Sequence, residues 1–194
     1  MIIDIQGIIG IPRPTRFNVP WEFVESLVQV KIPVISEAGS FVEQNRNKLM
    51  ERARECDSSF LLMIDPDSVF TVEDVEKIAK HMTNGLDVVA GMCKRGGDKS
   101  PSVYKKIEEC EQDYEIQTDL VDGLNEVGAV GGAFLAINKH VIEKMQDNPF
   151  GFIEVRGFRQ GEDISFCHKA REHGFKIWCD TTIRIGHIRH EIIW

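Results

Sequence analysis

The chain has 194 residues, of which 42% are hydrophobic and 28% charged, and its formal net charge is -8. That length sustains one sizeable core and a single domain, and the composition is ordinary for a globular protein. The acidic balance disfavours a general nucleic-acid binder, whose affinity comes largely from Lys and Arg neutralising phosphates, yet it leaves room for a local basic pocket around one diphosphate.

Residues 2 to 6 read as a first strand, and the three prolines of "IPRPTRFNVP" make a loop after it. From Pro20 to about Val30 the spacing predicts a helix with Val24, Leu27 and Val28 on one face. "KIPVIS" is a short strand. "FVEQNRNKLMERAREC" is a second helix, with Val42, Leu49 and Ala53 on its apolar side. "FLLMI" is a continuous apolar run, the pattern of a strand covered on both faces. Thr71 and Asp74 of "TVED" form a helix-opening capping box, with Asp in the Glu position. That helix runs to about Met82 and "NG" ends it. "DVVAGM" is the next strand, and the βαβαβαβ alternation predicts an α/β domain with a mostly parallel central sheet flanked by helices.

The alternation then fails. "KRGGDKSPSVYKK" and "IEECEQDYEIQTDLVDGLNE" read as loops with short strands, and "VGAVGGAFLAI" as one glycine-punctuated strand. Asn138 is placed to cap the helix after it. "NPFGFIEVRGFRQG" is a loop, and "EDISFCHKAREHG" a helix with Gly174 as its stop. "FKIWCD" and "TIRIGHI" close the chain as two strands. Five cysteines (Cys56, Cys93, Cys110, Cys167 and Cys179) include no C-x-x-C pair, which argues against a zinc cluster or disulfide framework and for a reducing cytosol. "MIIDIQGIIG" lacks the basic region of a signal peptide, and no apolar run approaches the roughly 20 residues of a membrane span. A cytoplasmic protein without a transmembrane segment is the expectation.

"LLMIDPDSVF" poses the functional question, because Asp65 and Asp67 stand at the mouth of a buried strand. Ligands of open α/β sheets gather beyond the carboxyl ends of the strands, and two carboxylates there suit a hard divalent cation. A solvated turn accounts for the same residues without any ligand. Glu162 and Asp163 form a second acidic pair at a helix start, where complementing the helix dipole is explanation enough. A lone histidine such as His187 in "RIGHI" is usually structural. Gly131 and Gly132 permit close backbone approach, to a ligand or to a packing neighbour.

Taken in order, the D-x-D after a hydrophobic strand, the "VGGAFLAI" strand, "ED" at a helix start and a late "GH" resemble the GT-A glycosyltransferases, especially the family 2-like enzymes that use nucleotide-sugars. The resemblance covers residues 32 to 188. It implies a Rossmann-like GT-A fold over residues 1–194, with a nucleotide and metal half up to about 95 and an acceptor half beyond. It implies that Asp65 and Asp67 bind Mn²⁺ or Mg²⁺ with the donor diphosphate, that His187 completes the metal shell, and that Asp163, with Glu162 beside it, holds the catalytic-base position. Arg46 and Asn47 resemble the "RN" near the nucleotide, Glu37 in "SEAGS" matches an acidic position before Gly-Ser, and Pro12 and Arg13 of "IPRPTR" match the loop near the base. Gly131 and Gly132 join this nucleotide-sugar set.

The implied reaction takes a sugar from a UDP- or GDP-sugar to a hydroxyl of a glycan, lipid or protein acceptor, with inversion. A cation meets the charge developing on the leaving diphosphate, and a separate carboxylate takes the acceptor proton. Lys94 or Arg95 can face the phosphates, and Phe150, Phe152, Phe158 and Trp178 can stack on a sugar, although at least two of these suit the core. "IDPDSVF" and "GEDISFC" also resemble the haloacid dehalogenase phosphatases. Against that reading stand Cys167, where a further Asp is expected, and the long segment before the first motif. A sugar-phosphate nucleotidyltransferase needs a glycine-rich basic loop that "GIIGIPRPTR" supplies poorly. A non-catalytic binding protein on the GT-A fold is a third alternative, opposed by the intact set of metal and base positions.

Overall fold

A computed structural model describes residues 5–16, 18–94, 100–106 and 114–188. Strand β1 covers Gly7–Arg13, so the first strand lies later than the predicted 2 to 6, of which residues 2–4 fall outside the described set. Pro12, predicted in a loop, lies inside it. The strand tolerates Pro12 because its pairing with the neighbour at Phe60–Ile64 ends at Gly10, so one side has no ladder left to break. Helix α1 (Trp21–Val28) buries Phe23 and Ser26, whereas Val28 of the predicted face is exposed. Strand β2 (Val34–Ala38) and helix α2 (Val42–Glu55) follow. Val42 is exposed, and the buried face of α2 carries Asn45 and Arg46 beside Leu49, Met50 and Ala53.

Strand β3 (Phe60–Ile64) is buried along its whole length, as its apolar run predicts. A two-residue strand β4 (Ser68–Val69) precedes helix α3 (Val72–Thr83). The capping box at α3 is present in both directions: the Asp74 amide donates to Thr71 Oγ1 at 3.2 Å and the Thr71 amide to Asp74 Oδ2 at 2.9 Å. Thr71→Ala also removes a 2.7 Å hydroxyl bond to the same buried carboxylate. It is expected to cost about 1–2 kcal/mol in urea unfolding. Gly85 and Gly174 adopt positive φ just beyond α3 and the last helix, the stops that "NG" and "HG" predict.

Strand β5 (Val88–Cys93) is followed by β6 (Val103–Lys106), β7 (Tyr114–Ile116) and β8 (Leu124–Val127). The predicted single strand over "VGAVGGAFLAI" is two, β9 (Ala129–Val130) and β10 (Phe134–Asn138), broken at the glycine pair. Helix α4 (Lys139–Lys144) starts at Asn138, but the Asn138 side chain does not cap it. Its amide donates instead to Met82 and Leu86 carbonyls at the end of α3. The predicted aromatic loop contains a hairpin of β11 (Glu154–Val155) and β12 (Phe158–Arg159), turning through Arg156 and Gly157, both at positive φ. Helix α5 (Glu162–Glu172) and one long strand β13 (Ile177–His187), where two strands were predicted, complete the set. A register shift between Asp180 and Arg184 bends β13 without ending it. There the His81 ring pairs with the Asp180 carboxylate at 2.7 Å and pins the bend to α3.

The main sheet has the order β2-β1-β3-β10-β5-β13-β4, with β8 also on β13. Strands β2, β1, β3, β5 and β13 run one way, while β10 is antiparallel to both β3 and β5, and β4 and β8 are antiparallel to β13. The fold is thus α/β with a mostly parallel central sheet. One core packs α2, α4, α5 and the small antiparallel sheet β7-β6-β9 on one face, through Met50, Ile142, Phe166 and Val103. The other packs α1 and α3 through Phe23, Phe70, Val75 and Ile78. In the reversed strand β10 Phe134 lies opposite Ile64, so the loop entering β10 reaches the edge where β3 ends. No helix among the described residues is long and apolar enough to cross a membrane.

Candidate functional site

Beyond β3 the chain makes a tight turn over Pro66 and Asp67. The Ser68 amide donates to the Asp65 carbonyl at 3.0 Å, and the Asp65 amide to the Ala133 carbonyl at 3.0 Å. Strand β4 then pairs with the end of β13, setting Ser68 opposite His187, and the Ile188 amide donates to the Asp67 carbonyl at 2.8 Å. These ladders hold His187, exposed, beside the turn that carries both aspartates.

Arg46 of α2 ties this turn to the rest of the site. Its side chain is 3% exposed and its guanidinium donates to Asp65 Oδ1 at 2.9 Å and to the Gly132 carbonyl at 2.7 Å. Its Nε lies 3.7 Å from Glu162 Oε1 and has no hydrogen-bond partner. The group also rests over the Phe150 ring, 5.8 Å from its centroid. Gly132 makes the seat possible: a Cβ there would stand 2.0 Å from Arg46 Nη1. The close approach expected of the glycine pair is therefore to a side chain. Gly131 faces Ser102 and, at 3.7 Å from its virtual Cβ, Asp163 Oδ2.

Glu162 and Asp163 occupy the first turn of α5, both half-buried. Burial pushes the Glu162 carboxyl above its usual range, Asp163 adds to the rise and Arg46 opposes it. Asp65 is raised as well. Its side chain keeps 25% of its surface exposed, yet lies deep enough for desolvation to dominate. Arg46 and His187 counter that rise, and Asp67 and Asp163 add to it. The Cys93 thiol at the end of β5 is pushed up to about 11 by burial and by the field of Asp65 and Asp67. The site is thus a concentration of negative charge around one buried cation.

Pro12, Arg13, Gly39, Asn45, Asp65 and Asp67 line a cleft of about 320 Å³. The Asn45 amide donates to the Arg13 carbonyl at 3.0 Å and to the Gly39 carbonyl at 3.4 Å, fixing the two loops that frame it. The sequence reading missed Asn45. Its signal was available, because Asn45 and Arg46 are polar residues one turn before the core-facing Leu49 and Met50.

Two expected nucleotide contacts are engaged elsewhere. Glu37 accepts from Arg52 at 2.8 Å on the outer side of β2 and α2. Asn47 bonds the Asn148 side chain and accepts from the Phe150 amide at 2.9 Å, pinning the loop after α4. Lys94 is exposed and bridges to Pro101; Arg95 and Cys110 lie outside the described residues. Phe150 is fully buried and stacked on Phe166, and Trp178 packs at the margin of the core, while Phe152, just before the hairpin, and Phe158, on β12, are exposed. Cys167, four residues after Asp163, is buried with its thiol toward the Val130 carbonyl.

Among the described residues no three His, Cys, Asp or Glu side chains come together closely enough to hold a metal ion by themselves. The donor set still has the chemistry of a hard-cation site completed by phosphate oxygens: two carboxylates, mutual repulsion that a cation relieves, and an imidazole alongside.

No family model and no curated protein matches the chain. Its fold is widespread, with 313 chains of known structure matching it. The crystal structure of A197 from STIV is similar over 95% of this chain and 86% of that one, with a TM-score of 0.74 and 22% sequence identity. That likeness is one of fold, an α/β architecture shared along nearly the whole chain.

Proposed function

We propose that this chain is a metal-dependent glycosyltransferase of the GT-A fold. It moves a sugar from a UDP- or GDP-sugar to the hydroxyl of a glycan, lipid or protein acceptor, with inversion at the anomeric carbon. One observation carries the reading. Asp65, Asp67, His187 and the Glu162-Asp163 pair come from distant parts of the chain and meet at the carboxyl edge of the parallel strands, next to a cleft lined by Pro12 and Arg13.

In this reading Asp65 and Asp67, with His187, would hold Mn²⁺ or Mg²⁺ together with the donor diphosphate. The cation supplies Lewis-acid stabilisation of the charge that develops on the leaving group. The cleft takes the nucleoside, with the carbonyl-bearing loops fixed by Asn45 available to the base. Asp163 takes the acceptor proton as the hydroxyl oxygen bonds to the anomeric carbon, and the bond to the diphosphate breaks with its electron pair leaving on oxygen. Arg46, already committed to Asp65 and Gly132, serves the carboxylates and not the nucleotide.

Calorimetry with UDP and with GDP, each with and without Mn²⁺, tests the reading. Metal-dependent binding is expected for one of them. Asp67→Ala should weaken it at least roughly tenfold and His187→Ala less, with the fold intact. Equal nucleotide affinity with and without metal rejects the assignment.

A further inference from the structure

A single guanidinium lies between the two acidic groups of the site. We propose that Arg46 is a positioning residue that couples them: a cation on Asp65 releases the guanidinium toward Glu162, so that donor loading sets the base helix. The ligand side of this inference rests on the transferase reading; the sharing of Arg46 does not.

The geometry carries it. A guanidinium is a rigid planar fork whose donors move together. Two arms are engaged, Nη1 with the Gly132 carbonyl at 2.7 Å and Nη2 with Asp65 at 2.9 Å. The third donor, Nε, is buried without a hydrogen bond and lies 3.7 Å from Glu162 Oε1. An orphaned buried donor beside a carboxylate marks an interaction that is aimed but not closed. While Asp65 holds Nη2, the fork is drawn to the D-x-D side. A cation bound at Asp65 and Asp67 satisfies the Asp65 charge and repels the guanidinium, and Glu162 is the remaining carboxylate within reach. Glu162 is the first residue of α5 and adjoins Asp163, so closing the Nε contact fixes the turn that carries the base. The shift keeps the Nη1 bond to the Gly132 carbonyl as its pivot, over the face of the Phe150 ring.

Linkage makes the coupling measurable from the donor side, because whatever metal binding does for Glu162, Glu162 must do for metal binding. In Glu162→Gln the released Arg46 meets a neutral partner. Mn²⁺-dependent binding of UDP or GDP should therefore weaken by roughly 5- to 50-fold, although Glu162 is no ligand of the metal. In the Arg46→Lys background, where one ammonium replaces the fork, adding Glu162→Gln should change affinity by less than about twofold. A ligand-free arm uses urea unfolding of Asp65→Asn, Glu162→Gln and the double variant. The double should lose more stability than the sum of the singles, because only it leaves Arg46 with no anionic partner. Wild-type affinity in Glu162→Gln overturns the coupling and leaves the transferase reading standing. A wild type that takes up neither nucleotide with Mn²⁺ overturns that reading and the handover with it, and the unfolding cycle then decides the sharing alone: additive losses refute it.

Discussion

Asp163→Asn should lower turnover by roughly 10²- to 10⁴-fold while donor and metal affinity stay close to wild type. The substitution is nearly isosteric. Asp163 Oδ1 accepts from the Ile164 amide at 2.8 Å, and an amide oxygen can keep that bond. The other carboxylate oxygen lies on the Gly131 side, 3.7 Å from where a Cβ of that glycine would stand. What the amide cannot do is take a proton from the acceptor. The loss therefore falls on an interaction used in the transition state and appears in kcat more than in KM. Glu162→Gln should cost less at saturating donor, because Glu162 lies beside Arg46, 3.7 Å from its Nε, and is not the proposed base. Steady-state kinetics with a turned-over nucleotide-sugar read the difference. If Asp163→Asn instead abolishes donor binding with little effect at saturation, Asp163 is a donor ligand. Product of retained configuration rejects a single displacement.

Gly132→Ala is expected to destabilise the protein by about 3–5 kcal/mol, the cost of breaking a buried ion pair from one side. The added methyl would stand 2.0 Å from Arg46 Nη1 and 2.5 Å from its Cζ. A flexible side chain normally swings away from such a clash at little cost. Here the clash falls on Nη1 itself, so relieving it forfeits the Gly132 carbonyl, the bond on which the fork turns, and draws Nη2 off Asp65 with it, in a buried setting over Phe150. Much of a typical domain's stability of roughly 5–15 kcal/mol would be lost. Gly85→Ala is a useful comparison, because a Cβ there meets nothing and the cost comes only from the positive φ. Urea unfolding midpoints measure both. A Gly132→Ala protein as stable as wild type would mean that Arg46 has a second seat.

The sequence disclosed the elements whose signals are local. The apolar run of β3, the capping box at Thr71 and the stop at Gly174 each depend on a few neighbouring residues, and each is in place. It disclosed less where tertiary contact decides. Pro12 reads as a loop residue until the early end of the β1–β3 ladder is known. Residues 177–187 read as two strands because the bend at Asp180 looks like a break, yet pairing with β5 resumes beyond it. Of the candidate site, Pro12, Arg13, Asp65 and Asp67 line one cleft, and His187 and Asp163 lie close enough for their charge to act on Asp65. Glu37 and Asn47 do not join them, since each found a partner nearer to hand, Arg52 and Asn148. The role of Arg46 was invisible for another reason. Its spacing to Leu49 and Met50 puts it on the core-facing side of the helix, but the partners it meets there, Asp65 and Gly132, come from distant segments that only the packing of the helix on the sheet brings to it.

The position of β13 bears on how the protein is made. It is the last described strand, yet it lies inside the sheet, between β5 on one side and β4 and β8 on the other. A chain emerging from the ribosome would present β3, the D-x-D turn and the exposed flank of β5 well before β13 could cover them. During that interval the aspartates stand without His187 beside them, and an apolar strand edge is open to pairing with another chain. Closure of the sheet and completion of the charged centre are then one event, so a nascent chain stalled before residue 177 should be prone to aggregate and, on the transferase proposal, without metal-dependent nucleotide binding.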